Sequence, residues 1–486
     1  MLKGSLKILS GNMVSYPFHI AKALIIAKAL EPATYGILNL FNIILSYSLW
    51  CECGIVSGMD KLIPFLNGKL DFDGARQIQN IAFTWFSILY LCLSGVVGTL
   101  SYFMNFSNEI NIGLRFLSIL ILLSAVQNFY ITLLRAKKKF GIIGATNAIL
   151  AVSMVCFVLL FYRTNLNRLH ATLLGFIAAY CVSFLFCQIF SKMTFKFNPN
   201  LARLKEIVQI GLPLVVLGIC FVILISVDRW MIARYFPKTE LGYYAFGATI
   251  ANLMFTSLSV FAYVFFPFVR EYYGKNNDLT EIRPHLYKMM FFMSYFASLA
   301  SAFLIISFPI IYKVFFSKYL PGLISANYLV FGTFFISLST IMTVFLVGIN
   351  KQKIIIFTQI IGIIFSLVLN FLIIKMTNSI NGVAFVTALV FAFYGIFIIF
   401  YALGQIEANE KQRIKMAMKF LFPFWVSILI IWLLRILLKL LNLSEFILLG
   451  IEFGAFGFVF GVFFWSQNKK EKFFEEIKTL LACNKK

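Results

Sequence analysis

Runs of about twenty apolar residues follow one another from the N-terminus almost to the end of the chain, and a chain built this way can only fold as a stack of membrane-spanning helices. Reading each run between its polar breaks places six spans at 8–30, 35–58, 79–104, 112–134, 141–162 and 169–190. Six more fall at 207–235, 243–268, 286–312, 322–348, 352–374 and 381–404, and a last pair at 418–441 and 446–465. The expected fold is an all-α polytopic membrane protein of about fourteen transmembrane helices. An even number puts both termini on one side. A hydrophobic share of 61% with only 13% charged residues excludes a soluble globular chain, for which about 45–50% apolar is usual. The longest internal loop, Met59 to Arg76, is too short for a soluble domain.

The net charge of +23 invites a nucleic-acid reading, but the cations are scattered through short loops and are not gathered on one surface. No nucleic-acid partner is expected. Most Lys and Arg fall on one side if the N-terminus is cytoplasmic, as with Arg135, Lys137, Lys138 and Lys139, with Lys411, Arg413, Lys415 and Lys419, and with Lys469, Lys470 and Lys472. That bias orients both termini toward the cytoplasm. Cys51, Cys53, Cys92, Cys156, Cys181, Cys187 and Cys220 lie in or beside apolar spans and Cys483 lies in the tail, so no extracellular disulfide framework is indicated. Cys51-x-Cys53 stands alone as a metal motif. The first segment has no small-residue cleavage site and is expected to stay as a membrane helix.

An internal repeat organises the spans. Ile26-Ala27-Lys28 followed by Gly36 matches Ile232-Ala233-Arg234 followed by Gly242 at a constant offset of about 206 residues. The basic turns 135–140 and 349–354 keep a similar spacing. Two six-helix lobes in parallel repeat follow, 1–190 and 207–404, joined by a cytoplasmic linker at 191–206. Residues 405–465 add two helices behind a basic loop, and 466–486 form a cytoplasmic tail. In that tail Phe473, Phe474, Ile477, Leu480 and Leu481 share a helical face, which suggests a short amphipathic surface helix or a frayed end.

Charges inside the bilayer cost about 2.5–3.5 kcal/mol each on insertion scales, so those that occur point to a partner or a wet cavity. On the first span Asn12, Ser15, Tyr16, His19 and Lys22 form a polar stripe. Asn39, Asn42 and Ser46 do the same on the second span, and Thr249, Asn252, Thr256, Ser259 and Tyr263 on the eighth. Gln359, Ser366 and Asn370 share a face of the eleventh. Spans 1, 2, 7 and 8 are therefore expected to face a cavity in which Lys22, Lys28, Arg229 and Arg234 offer positive charge to an anionic head group. The alternative is that the stripes only join helices through hydrogen bonds, and that Lys28 and Arg234 snorkel to the interface.

Asp228 adjoins Arg229, but neighbouring helical residues diverge by about 100°, so its ionic partner is expected elsewhere. By the lobe offset its counterpart is Lys22, and a Lys22–Asp228 contact is one hypothesis, as a structural lock or as a gate. His19 carries either a coupling proton or a structural hydrogen bond. Arg435 and Glu452, at similar depth on the antiparallel last pair, read as a structural salt bridge. Pro17 and Pro213 interrupt spans 1 and 7 and make them hinge candidates.

With the stretches AKALEPATYGIL at 27–38, GLPLVV, SVDRWMIARYF, ELGYYAF and Asn381-Gly382-Val383-Ala384, the chain resembles the polysaccharide-transporter family of lipid-linked oligosaccharide flippases, including O-antigen flippases. The most specific residues are Pro32, Tyr35 and Gly36, the pair Asp228-Arg229, and Leu241-Gly242-Tyr243. The resemblance implies the multidrug/oligosaccharidyl-lipid/polysaccharide flippase fold in a bacterial inner membrane, with alternating access. It further implies an undecaprenyl-pyrophosphate-linked oligosaccharide as substrate, held by Lys22, Lys28 and Arg229, with the prenyl chain flanked by the last two helices. No resident cofactor is expected, the return step would be coupled to H+ or Na+, and polysaccharide polymerase machinery is the expected protein partner. A lipid II flippase or a multidrug exporter of the same superfamily are the neighbouring alternatives, although an exporter of organic cations should line its cavity with acids. A membrane polymerase or glycosyltransferase would need a large outer loop with catalytic acids, whereas Glu31, Glu240 and Glu445 are isolated.

Overall fold

The computed structural model describes residues 2–104, 106–191, 193–276, 282–407, 409–438 and 445–471. The side chains of Asn12 and Tyr263, and the tail helix expected after Lys470, lie outside the described residues. Among the described residues every regular element is helical. In order they are α1 Leu2–Ala29, α2 Pro32–Ser48, α3 Ile55–Gly68, α4 Phe72–Phe103, α5 Asn108–Ala136, α6 Phe140–Phe161, α7 Arg168–Ser191 and α8 Leu201–Leu224. Then come α9 Val227–Tyr235, α10 Lys238–Asn276, α11 Ile282–Ile310, α12 Leu323–Gly348, α13 Gln352–Thr377, α14 Ile380–Leu403, α15 Glu410–Leu438 and α16 Glu445–Glu471. Eleven of the described helical segments are long and apolar enough to cross a membrane, and the protein is a polytopic membrane protein.

Two expected spans are broken. Span 35–58 divides into α2 and α3, of 17 and 14 residues, each short of the roughly 20 residues a bilayer needs. The break comes from Cys53 and Gly54, which take left-handed φ values of 52° and 88°. Beyond it the chain does not enter the loop expected at Met59 to Arg76. Ile55, Met59, Leu62 and Ile63 are buried at helical spacing, and this apolar face carries α3 on to Gly68. Span 207–235 likewise divides, α8 ending at Leu224 and α9 resuming at Val227.

The chain forms two compact units, Met1–Ser226 and Val227–Lys486. In the first unit α1 packs on α6, α6 on α7, and α3 on α8. Backbone contact at the break explains why α8 stays with this unit: a Cβ on Gly211 would lie 2.0 Å from the Gly54 carbonyl oxygen, so only glycine permits the approach. The segment before α8 runs as an extended strap along α4. Its Thr194 carbonyl accepts from Gln79 Nε2 at 3.1 Å, and the N–H groups of Lys196 and Asn198 donate to Asn80 Oδ1 and Thr84 Oγ1 at 3.2 and 3.0 Å. Phe195 stacks on Phe83 at 4.1 Å between centroids.

In the second unit α12 is the central rod, packed by α14, α10 and α11. Phe334, Phe335 and Phe345 are fully buried along it. Phe334 stacks on Phe424 at 3.9 Å, which ties α15 to this core.

Candidate functional site

In the first unit the polar stripe of α1 is directed into protein. Ser15 is buried, Tyr16, His19 and Lys22 are half-buried, and Ile26 continues the same face into the core. Packing of α1 on α6 turns the Lys22 ammonium toward α6 and α7, where Nζ lies 3.6 Å from Met154 Sδ and 5.2 Å from the centre of the Phe176 ring. Among the described residues no carboxylate pairs with it. Desolvating a cation costs about 2.5–3.5 kcal/mol, and a ring face returns only about 0.5–2 kcal/mol. Lys22 is thus a cation held in a polarisable, weakly compensating niche. Lys28, by contrast, is exposed near the end of α1. On α2, Asn39 is buried, whereas Asn42 and Ser46 are exposed.

Asp228 in the second unit has the opposite environment. It lies in the first turn of α9, where an anion meets the positive end of the helix dipole, and only 2% of it is exposed. Oδ1 accepts from the Arg229 backbone N–H at 2.7 Å, and Oδ2 accepts from the Tyr244 hydroxyl. That hydroxyl is also 3.4 Å from Thr387 Oγ1. Since Tyr244 has a single proton and gives it to the carboxylate, Thr387 is the donor in the second contact. The carboxylate thus joins α9 to α10 directly and, through the Tyr244 hydroxyl, to α14.

The expected lack of an Asp228–Arg229 contact is corrected, because Arg229 Nε lies 3.6 Å from Asp228 Oδ1. The hydrogen bond to the Arg229 N–H draws the carboxylate across to its neighbour, and the long arginine arm folds back over it. Arg234 and Asn252 are exposed. Gln359, Ser366 and Asn370 are fully buried in the second unit, and Asn370 Nδ2 donates to Ser366 Oγ at 3.0 Å. The contacts of Lys22 and of Asp228 described above each lie within one unit.

Sequence reasoning missed Glu52. This carboxylate is 4% exposed in the α2–α3 break and accepts from the N–H groups of Val56 and Ser57 and from the Ser57 hydroxyl, capping α3. Tyr90 braces the same break by donating to the Ser48 carbonyl at 2.7 Å. The signal was an acid followed by Gly54 within an apolar run, a turn signature inside a membrane span. Tyr244 and Thr387 were also missed, as polar residues on otherwise apolar spans.

Solved structures of other polytopic membrane proteins share the fold of the chain. The lipid II flippase MurJ in an inward closed conformation aligns with a TM-score of 0.74 and 15% identity over 95% of this chain and 99% of its own. An inward-facing multidrug resistance MATE family transporter of the MOP superfamily gives 0.67 and 15%, over 84% of this chain and 99% of its own. An outward-facing multidrug resistance MATE family transporter of the MOP superfamily gives 0.61 and 16%, over 84% of this chain and 95% of its own. No curated protein sequence matches the chain. Residues 25–324, more than half of the chain, match the family described as "Polysaccharide biosynthesis protein", and the chain belongs to that family.

Proposed function

We propose that the protein is a flippase that moves undecaprenyl-pyrophosphate-linked oligosaccharide, a surface-polysaccharide or O-antigen repeat unit, from the cytoplasmic to the outer leaflet of a bacterial inner membrane by alternating access. The observation that carries the proposal is Lys22, an ammonium kept in a niche of Met154 and Phe176 with no paired carboxylate among the described residues. A cation so poorly compensated gains most from an incoming anion, and a pyrophosphate supplies one. Arg229 is the corresponding cation of the second unit, with Lys28 and Arg234 assisting at the ends of their helices. Asn12, Tyr16, His19, Asn39, Asn42 and Asn252 supply hydrogen bonds to the sugars. Asp228 is the coupling group in this proposal, and H+ or Na+ would compete with Tyr244 and Arg229 for its oxygens; His19 is the second candidate for proton coupling. No catalytic step is assigned.

The Lys22–Asp228 gate belongs to the same proposal. It stands if Lys22→Ala and Asp228→Ala each abolish transport and the double variant is no worse than either, and it fails if the losses add. The function itself is tested in proteoliposomes by following the leaflet accessibility of a labelled lipid-linked oligosaccharide. Transport of that substrate is expected, whereas transport of labelled lipid II alone would favour the lipid II reading.

A further inference from the structure

The turns that join α4 to α5 and α6 to α7 lie together at one end of the first unit. Asn167 Nδ2 donates to Glu109 Oε1 at 3.2 Å across them, and His170 Nε2 lies 3.1 Å from the Glu109 carbonyl oxygen. The basic turn after Arg135 is at the other end, because α5 starts at the first and finishes at the second. Residues 100–115 and 159–172 carry three arginines, Arg115, Arg163 and Arg168, against the single acid Glu109. Among the described residues no carboxylate pairs with Arg115. Its Cζ stands 4.0 Å from the centre of the Tyr102 ring on α4, and its Nε is enclosed without an acceptor. Contact with a ring face holds this guanidinium in place. Asn111 fixes the turn that carries the ring, its Nδ2 donating to the Met104 and Phe106 carbonyls at 3.3 Å each.

A guanidinium stacked by one face keeps the N–H donors of its two terminal nitrogens in plane, the geometry that suits phosphate oxygens. Tyr102 is 69% exposed, and its hydroxyl is a second donor on the rim of the same ring. Arg115 comes seven residues after the first residue of α5, about 10 Å along the helix at 1.5 Å per residue. The surface around it is apolar: Leu100, Phe103, Met104 and Phe106 are exposed, as is Ile119, four residues further along the same face of α5. An occupant must present an anion at the level of Arg115 and hydrocarbon beyond it. A free anion has no hydrocarbon, and a neutral lipid has no charge to offer. We propose that the α4–α5 hairpin binds the phosphate of an anionic membrane phospholipid in the leaflet facing away from the basic turn, with the terminal N–H groups of Arg115 and the Tyr102 hydroxyl as donors. The acyl chains lie along the exposed apolar surface of α4 and α5. No part of the transported substrate is assigned to these two helices, and the site does not depend on Lys22.

The test is native mass spectrometry of the purified full chain with added phosphatidylglycerol, with thermal unfolding in detergent as a second readout. Wild type is expected to retain one phosphatidylglycerol, and Arg115→Gln to weaken retention by about tenfold, as loss of a charge-assisted hydrogen bond does. Arg115→Lys, which keeps the charge and loses the planar pair of donors, should fall between them. Tyr102→Phe keeps the ring under the guanidinium and removes only an exposed hydroxyl, so it should fold normally and retain the lipid less well than wild type. Arg163→Gln makes the same charge change on the exposed α6–α7 turn and should retain it fully. Equal retention by wild type and Arg115→Gln, or by wild type and Tyr102→Phe, would overturn the proposal. An equal loss from Arg163→Gln would overturn it too, since diffuse charge would then suffice. So would an equal thermal shift from inorganic phosphate, which would mean a free-anion site, or from neutral diacylglycerol, which would mean that the tails alone bind.

Discussion

Lys22 and Asp228 occupy corresponding places in the sequence repeat, yet their surroundings differ in kind. Asp228 is enclosed by donors, the Arg229 N–H, the Tyr244 hydroxyl and the Arg229 side chain. Lys22 has a thioether sulfur and a ring face. A fully hydrogen-bonded buried charge holds helices in place, because removing it strands its partners. A charge left with soft partners contributes little to stability, so its presence in a membrane helix calls for a ligand. The same repeat position thus carries a hydrogen-bonded carboxylate in one unit and, in the proposed function, the ammonium that receives the anion in the other.

The largest effect should come from Asp228→Ala, which removes the buried acceptor of the Tyr244 hydroxyl and of the Arg229 N–H and should cost about 3–5 kcal/mol of stability, read as thermal unfolding in detergent. Asp228→Asn, which keeps an acceptor for Tyr244, should lose less. A small loss from Asp228→Ala would mean that the three-helix node is not structural. Lys22→Ala should reduce transport at least about tenfold, or 1.4 kcal/mol, while leaving the unfolding temperature unchanged or raised. Marked destabilisation by Lys22→Ala would erase the contrast between the two positions.

Glu52→Gln comes next. It removes the charge that caps α3 and should cost roughly 0.5–2 kcal/mol, measurable in the same unfolding assay. An effect as large as that of Asp228→Ala would make the first-unit break a second node. The smallest effects belong to Lys28→Ala and Arg234→Ala, both exposed, with stability changes within about 0.5 kcal/mol and transport losses below that of Lys22→Ala.

The helical membrane architecture was legible because apolar runs of bilayer length leave no other fold. The Arg435–Glu452 contact was legible too, since two antiparallel spans with charges at equal depth must bring them together. The break at 49–54 was not, because it depends on left-handed backbone at Cys53 and Gly54 inside an apolar run. For the same reason the stretch Met59 to Arg76 reads as a loop, although its apolar residues at helical spacing carry α3 to Gly68. At the candidate site the charges were visible and their neighbours were not. Met154 and Phe176 are apolar residues on distant spans, and nothing in their sequence context marks them as partners of Lys22. Asp228 and Arg229 were separated by an ideal-helix angle that does not hold in the first turn of α9, where the carboxylate bends back to accept a backbone N–H.

The most direct measurement is flipping of labelled undecaprenyl-pyrophosphate-linked oligosaccharide in proteoliposomes by wild type, Lys22→Arg and Lys22→Ala, each checked for its unfolding temperature. The predicted result is activity in wild type, partial activity with the retained charge of Lys22→Arg, and at least about tenfold loss in a normally stable Lys22→Ala protein. Undiminished flipping by Lys22→Ala would contradict the assignment of Lys22 as the group that receives the pyrophosphate.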